Sequence, residues 1–245
     1  MLVEAWLTLR WGSQESFGGP QTDLGYLFAL GKFDTGVLDK YPLRVPLEAN
    51  QIPTEIAHGI PRYQYVREKD GQRQKLLQIG PGVATNNYLS DYDWVEFVKD
   101  SLFLRDTLIN AYEDKIEFRF ISLQVRSANT FDYTKQNMLG VLKSEYGVDV
   151  SLSNKFSGDI MMKSFPNNGN IKLSFDLKEP LDKASFNIAS GLKKDSDASL
   201  VPVLVNEIEV VSENEKMPNI RDNNQMTEWL DSSLELIKSW GMIEK

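Results

Sequence analysis

Two pairs of carboxylates, one histidine and one basic hairpin are the side chains in this sequence whose type and spacing could do chemistry. Glu207 and Glu209 stand two apart in an alternating apolar stretch, so on a strand they share a face. Asp91 and Asp93 flank the start of an amphipathic helix. Either pair could hold a hard cation such as Mg2+, or work as acid and base. Neither has a third ligand clustered with it, and simpler roles suit both. The aspartates complement a helix N-terminus, and the glutamates make a solvated strand face. His58 is the sole histidine and cysteine is absent, so a histidine dyad or a thiolate or zinc site lacks its partners. No nucleophile elbow, Walker loop or dinucleotide fingerprint occurs. Gly80-Pro81-Gly82 reads as a turn and not a phosphate cradle, because proline offers no amide donor. The sequence thus names no catalytic residue, no metal site and no cofactor.

Binding is the chemistry that remains. Residues 62–75 hold Arg62, Arg67, Lys69, Arg73 and Lys75, with Tyr63 and Tyr65 interleaved. Cations alternating with stackable rings can hold single-stranded nucleic acid. The net charge of −8 opposes that use, since phosphate binding needs gathered Lys and Arg. An exposed ribbon whose charges discourage edge aggregation is the simpler reading. Acidity gathers at the other end: residues 206–245 carry nine acidic and four basic side chains, a balance of −5. Trp240 is an aromatic anchor for an interface, or for packing the last helix on its own sheet. The candidate binding residues are therefore Arg62, Tyr63, Tyr65, Arg67, Arg73 and Trp240.

The elements that must position these groups follow from periodicity. Residues 2–10 alternate as a strand. Leu24, Leu27, Phe28, Leu30 and Phe33 have helical spacing, with Thr22 or Asp23 as cap. Residues 62–67 and 74–79 flank Asp70-Gly71, a tight hairpin signal, and Gly80-Pro81-Gly82 turns into a strand over 83–87. The helix from Asp93 carries Trp94, Phe97, Val98, Leu102, Arg105, Leu108, Ile109 and Tyr112. The order then repeats: a strand over 116–125, a helix from Thr134 ending near Gly147, strands over 160–165 and 171–177 around Asn167-Asn168-Gly169-Asn170, strands over 184–189 and 201–211 separated by a polar loop, and a final helix from about Asn223.

Both halves read β-α-β(3-4)-α. The expectation is an α+β protein of two such units, 1–113 and 114–245, whose antiparallel sheets are packed by long helices and share one continuous sheet. That arrangement is similar to a duplicated TATA-binding-protein-like or helix-grip fold. The first residues, MLVEAWLTLRWG, carry Glu4 and Arg10 and do not read as a signal peptide, and no run approaches a membrane span. With no cysteine, a reducing cytoplasm is the expected location.

Several phrases resemble a sporadically distributed bacterial family of proteins of about this length. They are Leu2-Val3-Glu4-Ala5, Leu77-Gln78-Ile79-Gly80-Pro81, Asn86 or Asn87 with Tyr92 and Trp94, and Phe118-Arg119-Phe120-Ile121-Ser122. The last departs from the family's Leu-Arg-Tyr-Ile-Asn at the tyrosine and the asparagine. The resemblance implies no particular reaction. Sporadic occurrence implies genes carried on mobile or defence islands. The expectation is a non-catalytic protein-binding subunit of a bacterial accessory system, such as phage defence or toxin control, with a basic protein as partner or through self-association. Nucleic acid and membrane are disfavoured. The alternatives are a helix-grip receptor for a small molecule and, behind it, a Mg-dependent enzyme or nucleic-acid binder.

Overall fold

The computed structural model describes residues 2–12, 23, 25–53, 58–90, 92–130, 140, 142–144, 147, 149, 170–194 and 200–241. Among the described residues there are nine strands, β1 (Leu2–Trp11), β2 (Leu43–Pro46), β3 (Tyr63–Lys69), β4 (Gln72–Gly80), β5 (Val83–Tyr88), β6 (Phe118–Thr130), β7 (Asn170–Asp176), β8 (Lys183–Lys194) and β9 (Leu200–Glu213). They form one sheet of order β2-β3-β4-β5-β1-β6-β9-β8-β7, antiparallel at every step. The α+β class and the antiparallel sheet expected from the sequence are both present. Of the predicted helix from Thr134, residues 140 and 142–144 are described and are helical, and Gly147, its expected end, takes φ 66°; the strand over 160–165 and the turn at 167–169 lie outside the described residues.

Turn chemistry fixes the register of the first hairpins. Asp70 and Gly71 both take positive φ, 55° and 74°, as a tight two-residue turn between β3 and β4 demands. Pro81 followed by Gly82 at φ 71° has the residue order of a type II turn and joins β4 to β5. At the other side of the sheet, β8 runs on to Lys194 and β9 starts at Leu200, so this hairpin is longer than the expected loop over 191–199 allows. Cross-strand pairing carries a strand through polar residues whenever the partner strand continues.

The helices α1 (Tyr26–Val37), α2 (Trp94–Ala111) and α3 (Asn223–Ser239) lie on one face of the sheet. β1 sends Ala5, Leu7, Leu9 and Trp11 to them, and its neighbours add Leu77, Ile79, Ala84, Ile121, Leu123, Val125, Ile208 and Val210. Phe97, Leu104 and Leu108 from α2 and Met226, Trp229, Leu230 and Ile237 from α3 fill the layer above. Both long helices begin with an aspartate cap: Asp93 accepts from the amides of Val95 and Glu96, Asp222 from those of Asn224 and Gln225. Arg105, 1% exposed, ties them together by donating to the Ile220 carbonyl at 3.0 Å, to Asp106 and to Asn223. Among the described residues no helix is long and apolar enough to cross a membrane.

Helix α1 departs from its sequence reading. Its inner stripe is Tyr26, Ala29, Phe33 and Val37, whereas Leu27 and Phe28 are exposed, at 68% and 84%. Thr22 lies outside the described residues, and Asp23 meets the helix, whose N-cap is Gly25, through its backbone carbonyl, which accepts from the Tyr26 amide at 3.1 Å, and not through a side-chain cap. The Asp23 carboxylate is occupied elsewhere, as described below.

Candidate functional site

The face opposite the helices is mostly polar from β5 to β7, with apolar Leu76, Val66 and Leu43 on its β4–β2 side. Alternation places Glu4, Trp6, Thr8 and Arg10 of β1 there, and the pairing registers extend them into three rows. One row runs Gln78, Thr85, Thr8, Ser122, Val211, Lys183, Asp176, and the next Leu76, Asn87, Trp6, Gln124, Glu209, Ser185, Ser174. The third runs Glu4, Arg126, Glu207, Asn187, Lys172. A face built of hydroxyls, amides and charges cannot act as a second apolar core.

Its centre is a connected network. Asn87 donates its side-chain amide to Glu4 at 3.2 Å, and Glu4 lies 3.7 Å from Arg126. Arg126 donates through Nε and Nη2 to Glu207 at 3.0 and 2.6 Å, with its guanidinium 5.0 Å from the centre of the Trp6 ring. Gln124 donates to Glu209, whose carboxyl is held above the usual carboxylate range by burial, an effect that the Gln124 bond opposes. The glutamates picked out in the sequence therefore share a face as expected, but each already has a partner. Among the described residues no three acidic or histidine side chains converge on a common point as metal ligands.

Two polar groups on this face have unspent capacity. The Ser122 hydroxyl, in a residue 0% exposed, and the shielded Asn187 side-chain oxygen find no hydrogen-bond partner among the described residues. Buried polar groups are nearly always paired, so an unpaired one calls for a physical reason. Next to them a concavity of about 320 Å3 opens over β7, β8 and β9, lined by Lys172, Ser174, Asp176, Lys183, Ser185 and Glu209.

The residues singled out in the basic hairpin are dispersed. Arg62, 7% exposed, donates to the Asn50 carbonyl at 2.9 Å and to that of Ile52. Tyr65 is fully buried against Phe33 and donates to Asp34, while Tyr63 lies under the Arg44 guanidinium at 4.0 Å. Arg67 pairs with Glu96 at 2.9 Å, and Lys75, 2% exposed, reaches the same carboxylate at 2.5 Å. Arg73 is exposed. Trp240 is partly buried on the helix side, edge-on to Phe175 and Phe186 at 5.2 and 6.1 Å. Asp93 is the α2 cap, and Asp91 lies outside the described residues.

Two carboxylate hubs on the helix side went unread in the sequence. Asp100, 0% exposed, accepts from Tyr41 at 3.1 Å and Tyr88 at 2.7 Å and pairs with Lys40. Burial first, and then the Asp100 carboxylate, push both phenols well above the ordinary tyrosine range. Asp23 accepts from the Trp11 indole at 2.9 Å, Tyr112 at 2.6 Å and the Gly82 amide at 3.2 Å. His58 sits beside Gly82, its imidazole pKa lowered by burial and partly restored by Asp23. Donors and acceptor in these hubs are 12 to 89 residues apart, so local spacing carries no trace of them.

No protein-family model matches the chain, and no curated protein matches it. The family resemblance accordingly rests on its quoted phrases.

Proposed function

We propose that the chain is a non-catalytic recognition subunit that engages a protein partner through the polar face of its sheet. The observation that carries this reading is the polar floor, where exposed Arg10, Lys172 and Lys183 and partly exposed Glu4 offer side-chain groups that a bound chain could meet. With them, Arg126, Glu207 and Trp6 make an ion-paired, ring-backed centre of the kind that dominates protein interfaces. On the same floor Glu4, Glu207, Glu209 and Asp176 balance Arg10, Arg126, Lys172 and Lys183, which leaves no excess of cations for a phosphate backbone and favours a protein partner over nucleic acid.

The duplicated TATA-binding-protein-like reading is part of the proposal. In its support, β1 and β6 are central neighbours, and the sheet proceeds outward as β5-β4-β3 on one side and β9-β8-β7 on the other. Each half then closes with an aspartate-capped helix, α2 after β5 and α3 after β9. Units 1–113 and 114–245 would be the two repeats. A helix-grip receptor ranks second, because the space between long helices and sheet is taken by Phe97, Leu104, Leu108, Trp229 and Leu230. An accessory role in phage defence or toxin control rests on the family resemblance.

Affinity-tagged chain purified from the cell that encodes it should bring down one protein at fixed stoichiometry, and an Arg126→Ala, Trp6→Ala variant should lose it. A folded, partner-free chain across growth conditions would refute the proposal.

A further inference from the structure

A groove of about 630 Å3 runs between the β7–β8 turn and the start of α3. Its apolar lining includes Leu177, Leu181 and Met217, which are partly buried and packed against the core. Glu179, Glu215 and Glu228 line it as well, and all three are exposed. Lys216, the cation in this lining among the described residues, is committed to Asp182, which is 3% exposed and 2.9 Å away. The nearby N-terminus of α3 offers little to an anion, since Asp222 already accepts from its Asn224 and Gln225 amides. A second concavity of about 560 Å3 shares Met217 and Pro218 with the first and continues past Ile116, Phe118 and Ile220, but its charged lining is mixed, Asp114 and Glu117 with Lys115 and Arg221.

An apolar floor with a carboxylate rim selects its occupant. Apolar side chains gain by leaving water on the floor, and cations gain by facing the rim. In the first groove an acidic or phosphorylated segment would meet three glutamates, with Lys216, the cation of that lining among the described residues, paired to Asp182. The −5 balance of residues 206–245 steers in the same direction at longer range. We infer that the first of these grooves docks an extended segment of a partner protein whose apolar anchors are flanked by lysine or arginine. The groove lies at the end of the helix side of the sheet and shares no lining residue with the polar floor, so the two sites stand or fall separately.

The test is fluorescence anisotropy on the intact chain. The probes are labelled heptapeptides with three varied apolar residues at the centre, flanked by Lys and Arg in one set and by Glu in the other. Members of the basic set should bind, and should weaken between about 50 and 300 mM salt. The triple variant Glu179→Lys, Glu215→Lys, Glu228→Lys should lose at least about tenfold in affinity, and Met217→Asp a similar amount. Glu215→Lys alone, a change at one exposed residue, should still cost about threefold. Glu207→Gln, on the polar floor, should bind as wild type does. Failure of every basic peptide to bind, equal affinity for the Glu-flanked set, or unchanged affinity in the charge-reversed variants would overturn the inference.

Discussion

Tyr88 and Asp100, both fully buried, meet across 2.7 Å, where the β5 phenol donates to the α2 carboxylate. Tyr41 donates to the same oxygen and Lys40 supplies the opposing charge. Removing the carboxylate would strand two phenols and an ammonium. Asp100→Ala is expected to cost about 3 kcal/mol or more in urea unfolding, and Tyr88→Phe about 1 kcal/mol. An Asp100→Ala chain as stable as wild type would contradict the hub.

Gly80 and Gly31 should respond to alanine in opposite directions. A Cβ on Gly80 would stand 2.0 Å from the Ile60 carbonyl oxygen, and this neighbour is backbone that cannot rotate away. Gly31 is inside α1 with nothing within 4 Å of the same position. Gly80→Ala should destabilise by about 2 kcal/mol or more, and Gly31→Ala should stabilise by about 0.5–1 kcal/mol. Thermal denaturation of the two variants reads both signs.

Two glutamates should give stability opposite dependences on pH. Burial raises Glu209, so the native state holds its proton more tightly than the unfolded chain. Its favourable contribution is complete below the ordinary value of 4.5 and is lost as pH rises through the raised value. Glu209→Gln should therefore be more stable than wild type at pH 7 and indistinguishable at about pH 3.5. Glu96 is lowered, chiefly by its hydrogen bond from Lys75 and then by the Lys75 and Arg67 charges against an opposing burial cost. Its contribution is present above 4.5 and disappears as pH falls through the lowered value, so Glu96→Gln should cost stability at pH 7. Urea midpoints across this range check both, and matching slopes for the two variants would contradict the assignment.

Arg126 should separate binding from folding. Its side chain is 40% exposed, so the ion pair with Glu207 is expected to add less than about 1 kcal/mol to stability. As the centre of the recognition floor it should contribute at least about tenfold to partner affinity. A titration of the co-purified partner against Arg126→Ala, beside a melting curve of the same variant, measures the two effects independently.

The local parts of this molecule were readable from residue order. Asp70-Gly71 and Gly80-Pro81-Gly82 fall at their turns, Asp93 caps α2, and Met226, Trp229, Leu230, Leu234 and Ile237 are the buried stripe of α3. What escaped is chemistry assembled across the chain. The inner stripe of α2 contains Asp100, Ser101 and Arg105 as well as its leucines, and apolar periodicity assigns no partner to such residues. Lys75 looked like one more charge on an exposed ribbon, yet it is buried over the Tyr88 ring at 4.4 Å and against Glu96. The polar floor was hidden for a related reason. Glu4, Arg126 and Glu207 become neighbours only once β1, β6 and β9 are known to lie side by side.

A photo-crosslinking amino acid at a single position tests the recognition floor most directly. Lys172 is exposed on the polar face, and Phe28, 84% exposed, is on the helix side. With benzoylphenylalanine replacing Lys172, irradiation of the chain in its native cell should give one dominant protein adduct, and replacement of Phe28 should give none. An adduct formed from position 28 and absent from position 172 would contradict the account.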